Sequence, residues 1–262
     1  MRVGNALTNY FEKNYQKTDG TPTFWYPKEN KNRAFEIEPT VQFGYQRIRT
    51  YLQRSTFPSV EFVFVPERDW SKTPAHDIFP YGMGYLSNER SVCTIYISQI
   101  PPVYYMVQDD DLNLSVVSWH ELAHLYLQPP HFSFPKIAPH WLKEGLLQLI
   151  VWQLLEESGF DRGPLDPVEV WLKEQTHFTI LEYEPSVPIK PAKFAKYQWL
   201  LLFMMRDLSI QHKERNNLQL LEDIIPALEK VPQRMDYQKT MDFLSSLIKM
   251  NVGDWLSTRW YF

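Results

Sequence analysis

The hydrophobic rhythm of the chain changes partway along. Up to about residue 100, short apolar runs alternate with polar or proline-rich breaks, which is the pattern of strands. Val60-Glu-Phe-Val-Phe-Val65 is the strongest of them and is ended by Pro66. Thr23–Tyr26 and Arg33–Ile37, on either side of the polar Lys28–Asn32, read as a hairpin. Gly84–Leu86 and Ser91–Ile97 read as another around Ser87–Arg90. Pro39-Thr40 opens a helix whose apolar positions Val41, Tyr45, Ile48 and Leu52 keep helical spacing. The stretch from Pro66 to Tyr81 reads as a loop. After Pro101-Pro102 the period turns helical. A helix is expected from Asp109–Asp111 to Leu127, the three acids serving as dipole partners and caps. A second starts at Pro139 and runs to Leu155. Beyond an irregular segment, 160–192, with a short helix near Val168–Glu174, helices follow near 193–209, 214–230 and 236–250, with a short one at the end. The expected fold class is α+β: an N-terminal mixed-sheet lobe with one helix, 1–110, ending in an edge hairpin, then a mainly helical lobe, 111–262, together one compact domain in two lobes. There is no internal repeat or low-complexity tract.

The chemistry concentrates in Ser115-Val-Val-Ser-Trp-His-Glu-Leu-Ala-His-Leu-Tyr-Leu127. Residues four apart lie one turn apart on a helix, so His120 and His124 can aim two imidazole nitrogens at one metal ion. Glu121 is rotated by about 100° from His120 and stands beside such an ion, where a base acting on water belongs. The bland alternative is a chance match on a buried helix. Leu114, Val116, Val117, Trp119, Leu122, Ala123, Leu125 and Tyr126 make this helix apolar nearly all round. Two imidazoles and a carboxylate in its middle would be costly without a partner, and a divalent cation pairs with all three.

Zinc takes a third protein ligand, with the fourth position left to water in catalytic sites. His131 is the nearest candidate, but it lies seven residues past His124 rather than six, and Leu127 stands where a glycine is expected. His140 points elsewhere if Glu144 points inward, although their four-residue spacing keeps it in contention. Glu144 fits better, because its helix is otherwise mainly Trp, Leu, Ile and Val, and Gln148 lies one turn on along the same face. Gln148 could accept a hydrogen bond from the outer nitrogen of a ligating histidine. Against this, Glu144 could simply be exposed beside Lys143, and Gln148 could simply pack.

The composition narrows the alternatives. With 262 residues, 44% of them hydrophobic, the chain can bury a substantial core. A formal net charge of -4 leaves no basic field, so no nucleic-acid partner is expected. The single cysteine, Cys93, rules out an intramolecular disulfide and a cysteine-based zinc site, and reads as a buried strand residue. No run is long enough for a transmembrane segment and the N-terminus lacks a signal-peptide core. A cytoplasmic protein is expected, although a secreted form with its leader removed would read the same. No G-x-S-x-G or Walker-type motif is present.

His120-Glu-Leu-Ala-His124, with Trp141-Leu-Lys-Glu144-Gly145 further on, resembles the gluzincin metallopeptidases, and more narrowly the peptidase-MA-like proteins related to the catalytic domain of the M1 aminopeptidases. The resemblance covers roughly residues 35–262. It implies a zincin-like fold and Zn²⁺ held by His120, His124 and Glu144; the expected partner is a peptide or protein substrate. Tyr197, in Tyr197-Gln-Trp-Leu-Leu-Leu-Phe-Met-Met-Arg-Asp207, matches by position the helix that supplies an oxyanion donor in related enzymes. A tyrosine among Phe194, Trp199 and Leu201 also reads as core. His177 and His212 read as surface histidines. The M1 signature G-x-M-E-N is reduced here to Gly82-Met-Gly-Tyr85 without a carboxylate, so exopeptidase specificity is not implied.

The expected function is thus a zinc-dependent metallopeptidase. In it a metal-bound water is deprotonated by Glu121, which then returns the proton to the leaving amine. The edge strand Gly84–Leu86 could pair with an extended substrate. The alternative is a non-catalytic, zinc-bearing protein-interaction module. Nothing in the sequence indicates the oligomeric state.

Overall fold

The computed structural model describes residues 2–3, 9–29, 32–52, 59–74, 82–87, 92–98, 110–127, 138–174, 191–212, 217–232 and 234–260. The expected α+β class is what it shows, in two compact units, Met1–Tyr126 and Leu127–Phe262.

In the first unit, β1 (Arg2–Val3), β2 (Tyr15–Lys17), β3 (Thr23–Pro27), β4 (Ser59–Val65), β5 (Gly82–Ser87) and β6 (Val92–Ser98) form a six-stranded mixed sheet ordered β1-β5-β6-β4-β3-β2. Strands β3, β4 and β6 run parallel at its centre. In keeping with that position, β4 is buried on both faces from Val60 to Val65 rather than alternating. On one face Val63, Val65, Trp25 and Tyr96 pack with Phe11 of α1 (Asn9–Asn14), and Trp70 of α3 (Glu67–Trp70) lies against the same cluster. On the other, Phe24, Phe62 and Phe64 stack with ring centroids 5.7 to 6.4 Å apart.

Three expectations fail in this unit. The second strand of the first expected hairpin is instead the start of α2 (Asn32–Leu52), with Pro39 inside the helix. The alternation Arg33–Ile37 imitates a strand, but Ile37 is buried in phase with Val41, Tyr45 and Ile48, while Phe35 is 46% exposed. The antiparallel partner of β3 is therefore β2, upstream of it. Second, the expected loop after Pro66 opens with the short helix α3. Third, the β5–β6 hairpin forms, with Gly82 opposite Ile97 and Ser87 opposite Val92, but it is not the sheet edge. Arg2 and Val3 of β1 pair with Tyr85 and Leu86, so a substrate strand cannot add there without displacing β1.

Helices α2 and α4 (Asp110–Leu127) meet at Trp119, which is fully buried and donates its indole N–H to the Thr40 carbonyl at 3.0 Å. Gly44, one turn on from Thr40, lies directly against the Trp119 ring.

The second unit is helical. It comprises α5 (His140–Ser158), α6 (Asp166–Glu174) after a 3₁₀ turn at Gly163–Leu165, α7 (Pro191–Gln211), α8 (Asn217–Glu229), α9 (Tyr237–Ile248) and α10 (Val252–Ser257). The expected bounds are met to within a few residues. Pro139 precedes α5, and Gly159 ends it in the left-handed region at φ 73°. Residues Glu144 to Leu155 of α5 are buried without interruption, which makes it the axis of this unit. His212, expected at the surface, is half-buried and lies 3.1 Å from Asp223 of α8. His131 and His177 lie outside the described residues. Among the described residues no helix is long and apolar enough to cross a membrane.

A buried-side clamp joins α6 to α7. The Arg206 guanidinium makes two bonds to Glu169, at 2.7 and 2.9 Å, and lies over the Trp152 and Phe203 rings. Hydrogen bonding from Arg206, outweighing the opposing effect of burial and helped by Lys173, lowers the Glu169 pKa to about 2. A depressed carboxylate pKa stabilises the fold above the unfolded value, and that contribution is lost as pH falls through the folded one. Glu169→Gln should therefore cost on the order of 2–3 kcal/mol near neutrality. The gap to the parent should close as pH falls from about 4.5 toward 2. Urea midpoints across that range measure it, and a gap independent of pH would refute the assignment.

Candidate metal site

On α4 the candidate ligands are His120 and His124. His120 and His124, one turn apart, present their rings at right angles with centroids 4.9 Å apart. Both are half-buried, while the residues around them are fully buried: Val116, Val117, Trp119, Leu122 and Ala123. Glu121 is 8% exposed. Its negative charge is felt in the sheet at Cys93, whose thiol pKa is pushed up first by burial and then by the Glu121 carboxylate. Cys93 thus stays a neutral core thiol, as its place in a strand suggested.

On α5 the candidate is Glu144, in the first turns of the helix. Glu144 is only 3% exposed, which removes the possibility of an exposed glutamate, yet Lys143 does lie beside it. Its Oε1 is 3.4 Å from the Lys143 ammonium and 3.9 Å from His140 Nδ1. Its Oε2 accepts a hydrogen bond from Gln198 Nε2 at 3.3 Å. Gln198 in turn accepts from the Gln148 amide, so the buried Gln148 is joined to Glu144 through α7. The histidine support expected of Gln148 is thus replaced, in this contact, by support of the carboxylate.

Gly145 makes that reach possible. A Cβ there would stand 3.1 Å from Met205 Cγ and 3.8 Å from Leu201 Cδ2. Gln198, Leu201 and Met205 share one stripe of α7, so the missing side chain at position 145 lets that stripe close on α5. Sequence reasoning missed Gln198. The available signal was a lone amide inside Tyr197-Gln-Trp-Leu-Leu-Leu202, where an unpartnered amide would be costly. Tyr197, beside it on α7, is fully buried.

One donor atom from each of His120, His124 and Glu144 lies within 4.8 Å of the other two. Tetrahedral zinc with ligand bonds of ~2.1 Å sets its donors about 3.4 Å apart. Two imidazoles and one carboxylate are a donor set suited to zinc that leaves a position for water. Glu121 is not among the three.

No family model matches the chain, and no curated protein matches its sequence. Solved structures do match its fold. An aminopeptidase N family protein from Idiomarina loihiensis aligns with a TM-score of 0.61 at 13% identity, over 93% of this chain and 46% of that one. Yeast LTA4 hydrolase aligns in its native form and in complex with bestatin, each with a TM-score of 0.55 over 94% of this chain, at 13% and 11% identity. The chain spans less than half the length of these proteins, 46% of the first and 38% of the second. At such identities the likeness is one of fold: the chain shares the α+β architecture of these structures.

Proposed function

We propose that this chain is a zinc metallopeptidase of the gluzincin type, hydrolysing peptide bonds with Glu121 as general base. The observation that carries the reading is the close grouping of His120, His124 and Glu144 donor atoms. They stand on two helices whose remaining residues are mostly apolar and buried. The likeness in fold to an aminopeptidase N family protein supports it.

Zinc, when bound there, would supply Lewis acidity toward the scissile carbonyl and the attacking water. The protein supplies the rest. His120 and His124 contribute neutral nitrogens from one helical face, and Glu144 contributes a carboxylate fixed through Gln198. Glu121 follows His120 directly and is not one of the three grouped donors, and it is assigned the part of the base. It takes a proton from the attacking water and delivers it to the departing amine. Tyr197 is proposed as the oxyanion donor. The substrate is a peptide or an unstructured protein segment.

Purified protein should hold one zinc per chain, cleave an unfolded protein such as reduced casein, and stop when zinc is chelated. His124→Ala should lose the metal along with cleavage. Stoichiometric zinc without cleavage across a broad peptide library would instead support a zinc-bearing interaction module.

A further inference from the structure

The two oxygens of Glu144 are engaged differently. Oε2 is held by a buried relay in which Gln148 donates to Gln198 and Gln198 donates to Glu144. The polarity is enforced, because Gln198 accepts from Gln148 with its oxygen and has only its amide nitrogen to turn toward the carboxylate. Glu144 must then accept at Oε2. Oε1 faces the Lys143 ammonium at 3.4 Å, nearer than His140 Nδ1 at 3.9 Å. The lysine side chain is 12% exposed, so the pair is poorly screened by water.

We infer that Lys143 is a resident counter-cation of Glu144, which neutralises the buried carboxylate in the metal-free protein and which a divalent ion must displace or repel on binding. This rests on the metal site proposed above. A buried carboxylate without a cation is costly, so an ammonium on the adjacent residue keeps the empty site folded. The same ammonium opposes a second cation, because both are drawn to one carboxylate and repel each other. Metal affinity is thereby set lower than the donor set alone would give, and the relay through Gln198 keeps the carboxylate in place during the exchange.

Removing the Lys143 charge should have two effects of opposite sign. Lys143→Met keeps the length of the stem and removes the charge. The metal-free variant should melt at a lower temperature than the metal-free parent, while its zinc dissociation constant, from competition with a chelating dye, should fall on the order of 10- to 100-fold. Lys143→Arg keeps the charge and should stay near the parent in both measurements, which guards against a general packing defect. A Lys143→Met protein that binds zinc no more tightly than the parent overturns the inference and leaves the metallopeptidase reading standing. Zinc bound by Lys143→Met but not by the parent supports the inference and removes that reading. Zinc bound by neither overturns both.

Discussion

Replacing Glu121 with glutamine should leave zinc content and melting temperature close to the parent's and lower peptide hydrolysis by at least ~10²–10⁴-fold. The side chains are nearly isosteric, and position 121 is 8% exposed, so little solvation changes on substitution. What changes is that an amide cannot take a proton from water at neutral pH. In the proposed site the ligands are His120, His124 and Glu144, a grouping that does not include Glu121, so the metal should stay. The result separates a base from a ligand: loss of zinc together with activity would place Glu121 on the metal, and activity within a few-fold of the parent would remove it from the chemistry. Glu121→Asp should fall between the two, because a carboxylate drawn back by one methylene still accepts a proton but from a worse position.

The parts of this molecule legible in the sequence are those in which one local pattern decides the outcome. Val60–Val65 is long, β-branched or aromatic, and closed by a proline, and it is the fully buried central strand β4. The β5–β6 hairpin was legible because two short strands flank a polar tetrapeptide. Glu144 was legible as a ligand candidate because a carboxylate is out of place in a helix buried on every side. The errors arose where two periods share the same residues. Arg33–Ile37 alternates as a strand would, yet Ile37 also completes a helical stripe with Val41, Tyr45 and Ile48, and burial of that stripe decides the outcome. The pairing of β1 with β5 was not legible at all, since a two-residue strand carries no pattern and its partner lies some eighty residues on.

The same limit applies to the candidate site. Each helix could be read alone: two histidines at one-turn spacing on α4, one glutamate among leucines on α5. Nothing local says that Gln198 supports that glutamate, because the contact depends on how closely α7 approaches at Gly145, where Met205 and Leu201 fill the space of a missing side chain. A close approach of this kind is a property of two surfaces together, and a one-dimensional pattern records only one of them.

A comparable approach in the first unit carries the second large prediction. Gly44 of α2 lies so close to Trp119 that a Cβ would overlap the indole at Cδ1 and Nε1. The indole has no room to yield: it is fully buried, its N–H is bound to Thr40, and Phe43 packs beside it with ring centroids 6.2 Å apart. Gly44→Ala would help a free helix by ~1 kcal/mol, but here overpacking should win, for a net loss of about 3 kcal/mol and a fall in melting temperature of roughly 5–10 °C. Because His120 follows Trp119 directly, displacement of the indole should also weaken zinc binding, an effect that a remote packing defect would not produce. Gly253 in α10 is the control, since a Cβ there meets nothing closer than 3.5 Å and alanine should be neutral or stabilising. The double variant Gly44→Ala, Trp119→Phe tests the cause. Phenylalanine withdraws the edge that the new methyl strikes, so the two losses should sum to more than the double variant shows. Strict additivity would mean that the glycine is there for some reason other than the tryptophan.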